Sequence, residues 1–123
     1  MNGSNIFVDT NILIYLLDKD EAILALLNDN SIYISFITEL ELLSYRNYSS
    51  KEKEKLSELL NDCIIIDINP QIKKNAVAYR LKTKLKLPDS IIAATAQYLS
   101  LPLLTADKDF KRINEIDVLL YEK

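Results

Sequence analysis

Five short apolar runs divide this chain, and what lies between them is helical in character. The runs are Ile6-Phe7-Val8, Ile32-Tyr33-Ile34-Ser35, Cys63 to Asp67, Leu103-Leu104-Thr105 and Val118 to Tyr121. Strands separated by helices rejoin one sheet through right-handed crossovers, which pair them in parallel and cover both faces. The expectation is therefore an α/β fold with a mainly parallel central sheet of about five strands and helices on both faces. Ile12 to Leu17 and Ala22 to Leu27 read as one broken helix or two short ones around Asp18-Lys19-Asp20. Thr38 to Tyr45 is helical, and Ser49 with Glu52 has capping-box spacing at the head of a helix over Lys51 to Leu60. Asn69-Pro70 starts a helix expected to reach about Leu85, with Pro88 ending it. Ser90 to Leu99 comes next, with Ile91, Ala94, Thr95, Tyr98 and Leu99 on one face. No linker or repeat interrupts the pattern, and 123 residues at 49% hydrophobic suffice for a core without staples. A single domain over residues 1–123 is expected.

Composition then removes most chemistries. There is no histidine, which excludes imidazole-based triads, histidine acid–base pairs and most zinc sites. The only glycine is Gly3, so a glycine-rich phosphate loop is excluded. The lone Cys63 sits in an apolar run and reads as a small core residue in a reducing compartment. Met1-Asn2-Gly3-Ser4-Asn5 has no basic segment leading into a long apolar stretch, and the apolar run Ile12 to Leu17 stops at Asp18. Neither a signal peptide nor a membrane span fits, so a cytoplasmic location without membrane association is expected. A net charge of −3 gives no global attraction to nucleic acid, so phosphate contacts need a local basic patch.

What remains is carboxylate chemistry. Asp9 follows the first strand, Glu41 lies within a helical turn of the second, and Asp107 follows Leu103-Leu104-Thr105. Asp89 stands at the N-terminus of the helix that leads into that last strand. In parallel sheets the ligand site lies beyond the carboxyl ends of the strands, so the four acids are expected at one edge. Each has an ordinary alternative as a helix cap or first-turn acid: Asp9 before Asn11, Glu41 at capping-box spacing from Thr38, Asp89 after Pro88, and Asp107 before a short helix containing Phe110. Capping does not explain why all four converge. Clustered carboxylates repel unless some take up protons or a cation neutralises them, and Mg2+ or Mn2+ suits an all-oxygen donor set.

The spaced motifs carry a resemblance. Phe7-Val8-Asp9-Thr10-Asn11-Ile12-Leu13, Ser35-x-x-Thr38-x-x-Glu41, Leu87-Pro88-Asp89-Ser90-Ile91-Ile92-Ala93-Ala94-Thr95-Ala96 and Leu104-Thr105-Ala106-Asp107-Lys108-Asp109-Phe110 resemble the successive motifs of PIN-domain ribonucleases. Among these the chain most resembles the small VapC-type toxins of toxin–antitoxin pairs. The resemblance implies a PIN-like three-layer sandwich and a Mg2+- or Mn2+-dependent endoribonuclease acting through Asp9, Glu41, Asp89 and Asp107. It makes Asp9 and Asp89 the main metal ligands, gives Asp107 a share in metal or bound water, has Glu41 orient or deprotonate the attacking water, and leaves Asn11 and Thr105 as polar supports. Asp109 is a possible further contributor. The implied partners are an RNA substrate and a cognate antitoxin whose tail occupies the active-site groove, with a homodimer or a toxin–antitoxin hetero-oligomer as the assembly.

Basic residues offer a phosphate patch. Arg80, Lys82, Lys84 and Lys86 precede Asp89, and helical spacing would pair Arg80 with Lys84 and Lys82 with Lys86. Lys108, Lys111 and Arg112 surround the last motif. Lys84 and Lys86 are the candidates to hold RNA phosphates, against an ordinary role at a solvated helix end. Lys51 to Lys55, alternating in sign, reads as a solvated face. Tyr45 and Tyr48, near Arg46, suit base stacking or plain packing. Leu16, Leu24, Leu27, Leu42 and Leu43 are interface candidates if exposed, and core residues otherwise. Two other functions compete: a receiver-like phosphoacceptor domain using Asp67 after the middle strand, and a PIN-fold binding protein without catalysis.

Overall fold

The computed structural model describes residues 4–28 and 30–122. Met1 to Gly3, where no leader is expected, lie outside the described residues. Strands β1 (Asn5–Val8), β2 (Ser31–Ser35), β3 (Ile64–Ile66), β4 (Leu103–Thr105) and β5 (Val118–Leu120) form one sheet in the order β3-β2-β1-β4-β5. All four pairings are parallel. Helices α1 (Thr10–Leu17), α2 (Glu21–Leu27), α3 (Phe36–Leu43), α4 (Ser50–Asn61), α5 (Pro70–Lys82) and α6 (Leu87–Leu99) carry the crossovers, and a 3-10 turn spans Lys108–Arg112. None of the described helices is long and apolar enough to cross a membrane.

The two-residue period of a strand splits the core into two layers. Phe7 and Leu103 point to one face and join Ile72, Tyr79, Ile92 and Phe110 beneath α5 and α6. Val8, Ile34 and Leu104 point to the other and join Ile12, Ile23 and Leu56 beneath α1 to α4. Helices on both faces of a parallel sheet make the expected three-layer sandwich.

Local chemistry explains the boundaries. Lys19, at φ 63, breaks the chain after α1, and the Asp20 carboxylate caps α2, so two short helices replace one. The Ser49–Glu52 capping box forms as expected. Three expectations need correction. First, α3 starts at Phe36, because the Ser35 hydroxyl accepts from the Ile37 N–H; Thr38 therefore lies inside the helix and caps nothing. Second, α5 stops at Lys82 and does not reach Leu85. Thr83 is extended, and its hydroxyl donates to the Tyr79 carbonyl and closes the last turn. Third, α6 is buried almost all round over Ile92 to Ala96, whereas Tyr98 is exposed, so no single face describes it.

Candidate active site

The chain leaves β1 towards β2 and β3 on one side, then returns to place β4 and β5 on the other. The order therefore reverses between β1 and β4, where parallel sheets open a crevice beyond their carboxyl ends. Asp9 ends β1, Asp107 follows β4, Glu41 lies in α3 directly after β2, and Asp89 occupies the first turn of α6.

Asp9 is the most enclosed of the four, at 5% exposure. One carboxylate oxygen caps α1 by accepting from the Thr10 N–H at 2.8 Å. The other accepts from the Thr105 hydroxyl at 2.7 Å and the Asn11 side-chain amide at 3.2 Å. Asn11 also accepts from the Ala106 N–H at 3.1 Å, and Thr105 accepts from the Asp107 N–H at 3.0 Å. Asn11 and Thr105 thus tie the ends of β1 and β4 together. Burial raises the Asp9 carboxyl above its ordinary value against the bonds from Thr105 and Thr10, with Glu41 and Asp107 adding to the rise.

The other acids are held differently. Glu41, more exposed, accepts from the Thr10 hydroxyl at 2.6 Å. Asp107 caps the 3-10 turn through the Asp109 N–H at 2.9 Å. Capping is thus real for Asp9 and Asp107, while that suggested for Glu41 by Thr38 is not found. Asp89 makes no side-chain hydrogen bond among the described residues. Burial first, then the charges of Asp9, Asp107 and Glu41, push it up to about 6 against the nearby Lys86. Four segments far apart in sequence therefore bring their acids within electrostatic reach. Asp109 accepts from Arg112 at 3.3 Å on an exposed surface.

No three of the described acidic or cysteine side chains are gathered tightly enough to enclose a metal ion on their own. The donor set still fits a hard cation, because Mg2+ is commonly held by one or two carboxylates with waters completing the octahedron. Asp89, raised by burial and then by its neighbours' negative charge, and free of hydrogen-bond partners among the described residues, has the chemistry of a group that a cation would relieve.

A raised carboxyl has a direct consequence for stability. The folded chain takes up the Asp89 proton near pH 6, whereas the unfolded chain does so only near its ordinary 3.8. In metal-free buffer folding should therefore gain stability as pH falls from about 6 towards 3.8, with the gain complete below that. Thermal melts of the wild type and Asp89→Asn between about pH 7 and 5 should show the wild type gaining on the variant. Parallel curves would mean that the Asp89 carboxyl is not raised in the folded chain.

The basic residues separate by role. Arg80 donates to the Leu85 carbonyl at 2.6 Å and staples the end of α5, and Lys82 pairs with Glu115. Because α5 ends at Lys82, the expected helical pairing of Lys84 and Lys86 with Arg80 and Lys82 does not occur. Lys84 and Lys86 are exposed on the link to α6, and Lys86 stands close enough to Asp89 to oppose its rise. Lys51 to Lys55 is solvated as expected. Burial, with the Asp62 charge, pushes the Cys63 thiol up to about 11 and keeps it inert.

Beside Glu41 opens a groove of about 630 Å³ lined by Thr10, Ile14, Leu17, Tyr45 and Tyr48. The two tyrosine rings meet edge to face at 5.0 Å. Of the leucines considered for an interface, Leu24 and Leu43 are exposed and Leu16 is half-buried, but Leu27 and Leu42 belong to the core. Asp67 follows β3, an edge strand of the sheet, and its carboxylate accepts from the Ile68 N–H. A receiver-like domain needs its acceptor on the middle strand, so that alternative fails. Thr10 is a site residue that the sequence motifs contain but do not single out, whereas Thr38 stands in the Ser35-x-x-Thr38-x-x-Glu41 motif, where its spacing suggests a cap and not a partner of Thr10.

The profile of the PIN domain family matches residues 6–116. No curated protein sequence matches the chain. Similar solved structures include a toxin–antitoxin complex from Klebsiella pneumoniae, with 36% identity and a TM-score of 0.81 over 96% of this chain and 99% of that one. VapBC2 from Rickettsia felis, bound to a DNA fragment from the promoter, shares 26% identity at a TM-score of 0.82 over 96% and 99% of the two chains. DNA-bound VapBC from Salmonella typhimurium has 22% identity and a TM-score of 0.83 over 97% and 98%, which is a likeness of fold.

Proposed function

The chain belongs to the PIN-domain family, and from that premise we propose that it is a Mg2+- or Mn2+-dependent endoribonuclease, the toxin of a toxin–antitoxin pair. The observation that carries this reading is geometric: four acids from segments far apart in sequence meet beyond the carboxyl ends of the strands at the sheet's switch point, where burial first and then the charges of Asp9, Asp107 and Glu41 raise Asp89. In this reading Asp9 and Asp89 would hold the cation, with Asp107 contributing to its site. A bound divalent cation supplies Lewis-acid polarisation of the attacking water and of the scissile phosphate. Glu41 would take a proton from the attacking water as the water oxygen bonds to phosphorus and the bridging P–O bond breaks, the departing oxygen being protonated by solvent. Asn11 and Thr105 keep Asp9 oriented by filling one of its oxygens with donors.

Lys84 and Lys86 hold the RNA backbone beside Asp89. Changing both to glutamine should weaken single-stranded RNA binding and reduce the slope of log affinity against log salt by roughly 1.4, at about 0.7 per lost phosphate contact. Filter binding across a salt series measures this, and unchanged affinity at low salt would remove the two lysines from the interface.

The partner reading rests on relatives. The Klebsiella pneumoniae structure is a toxin–antitoxin complex, and by that likeness the groove beside Glu41 receives the tail of a cognate antitoxin in the cytoplasm. Exposed Leu24 and Leu43 are available to a homodimer or a hetero-oligomer. The test of function is cleavage of a labelled total-RNA pool by the purified protein with Mg2+ or Mn2+, beside a chelator control and Asp9→Asn. Cleavage lost in both controls supports the reading. Cleavage that survives them points to a contaminant, and no cleavage in any pool favours the non-catalytic binding protein.

A further inference from the structure

Among the described residues, Thr10 alone hydrogen-bonds two of the four carboxylates: its N–H reaches Asp9 and its hydroxyl reaches Glu41. The hydroxyl also lies 3.0 Å from that of Thr38, which is fully buried inside α3. A threonine hydroxyl has one proton, and an ionised carboxylate can only accept. The Thr10 proton therefore belongs to Glu41, and Thr38 must supply the bond between the hydroxyls, giving a relay from Thr38 to Thr10 to Glu41. Its last step, at 2.6 Å, has the length of a charge-assisted O–H to carboxylate bond.

We propose that Thr10 is a positioning residue, fixing where the Glu41 carboxylate stands relative to Asp9, and that Thr38 aims the Thr10 hydroxyl. This inference rests on the nuclease reading for its kinetic consequence. Glu41 is a long exposed side chain with no ion pair among the described residues, and such a side chain loses its rotamer freedom only if something holds it. Thr10 is well suited to hold it, because its backbone is the first residue of α1 and its amide is already fixed on Asp9. One residue thus sets the spacing between a proposed metal ligand and the proposed base.

Thr10→Val keeps the shape of the side chain and the N–H to Asp9 but removes the hydroxyl. Acid–base positioning is typically worth about 10² in rate or more, so kcat for RNA cleavage should fall by roughly 100-fold. KM and the Mn2+ dissociation constant, read by calorimetry, should stay within about threefold, since neither depends on an interaction made only in the transition state. Thr10→Ser should restore kcat to within about threefold, and Thr38→Val should fall between the two. Unchanged kcat in Thr10→Val overturns the proposal. A parallel loss of Mn2+ affinity also overturns it, by revealing a merely structural role.

Crystal structures of the wild type and both Thr10 variants give a readout independent of activity. The Glu41 carboxylate should stay within hydrogen-bond distance of residue 10 in Thr10→Ser and leave it in Thr10→Val. A Glu41 that keeps its place in Thr10→Val overturns the proposal even if the variant is slow. Asp9→Asn assayed alongside separates the two readings: cleavage insensitive to Asp9→Asn defeats the nuclease reading, and the crystallographic arm then decides the positioning role alone.

Discussion

Replacing Asp9 with asparagine is expected to lower metal-dependent RNA cleavage by roughly 10³-fold or more, with the fold intact. A catalytic cation supplies several kcal/mol of charge stabilisation, and about 4 kcal/mol at roughly 1.36 per decade is three orders of magnitude. Two opposing effects keep the stability change small. The variant removes a buried carboxylate whose charge is opposed by burial, Glu41 and Asp107. It also sets an amide where one oxygen receives the Thr10 N–H and the other receives Thr105 and Asn11, so at least one donor faces a donor. Single-turnover cleavage with saturating Mn2+, beside a thermal melt, checks both parts. Activity within about tenfold of the wild type would remove Asp9 from the metal site.

Phe110→Ala should have the largest effect on stability of any change near the site. Phe110 is fully buried beneath α5 and α6 with Phe7, Tyr79 and Leu103, although it projects from a single 3-10 turn. Truncating a buried phenylalanine costs about 3–5 kcal/mol, a large part of the roughly 5–15 kcal/mol that holds a domain together. For a chain of this size the melting temperature should drop by about 10–20 °C. A drop of only a few degrees would show that the turn collapses into the space the ring leaves. The ring also anchors the loop that presents Asp107, whose carbonyl accepts from the Phe110 N–H at 3.3 Å. Cleavage measured well below the melting temperature should therefore fall as well.

The strands were legible because their signal is local. Apolar runs such as Ile6 to Val8 and Leu103 to Thr105 needed only the rule that helices between strands make them parallel. Helix ends were less legible where a hydroxyl decides them. Ser35 starts α3 and Thr83 stops α5 through bonds to the backbone, which hydrophobic periodicity does not register. Helix α6 has no single buried face because its alanines let neighbours approach from most sides. The spatial order of strands is absent from any local pattern, and that order is what rules out Asp67 as a phosphoacceptor. The convergence of the acids was legible because each follows a strand or opens a helix at the carboxyl side of the sheet, in a chain with no histidine. Thr10 was not, and Thr38 was legible only as a cap candidate, because a threonine at a helix start or in its first turns has many ordinary uses.

The bond from Thr105 to Asp9 joins positions 96 apart, between strands that meet only after the rest of the sheet has been laid down on the other side. A ribosome making this protein therefore exposes Asp9 early and must deliver β4 before that acid has its partner or its neighbour Asp107. Until β4 and the turn beyond it have emerged, the four acids cannot stand together, so under the proposed nuclease function a nascent copy would lack a complete site while RNA surrounds it. Long-range closure of this kind is slow to form, and here slowness is protective.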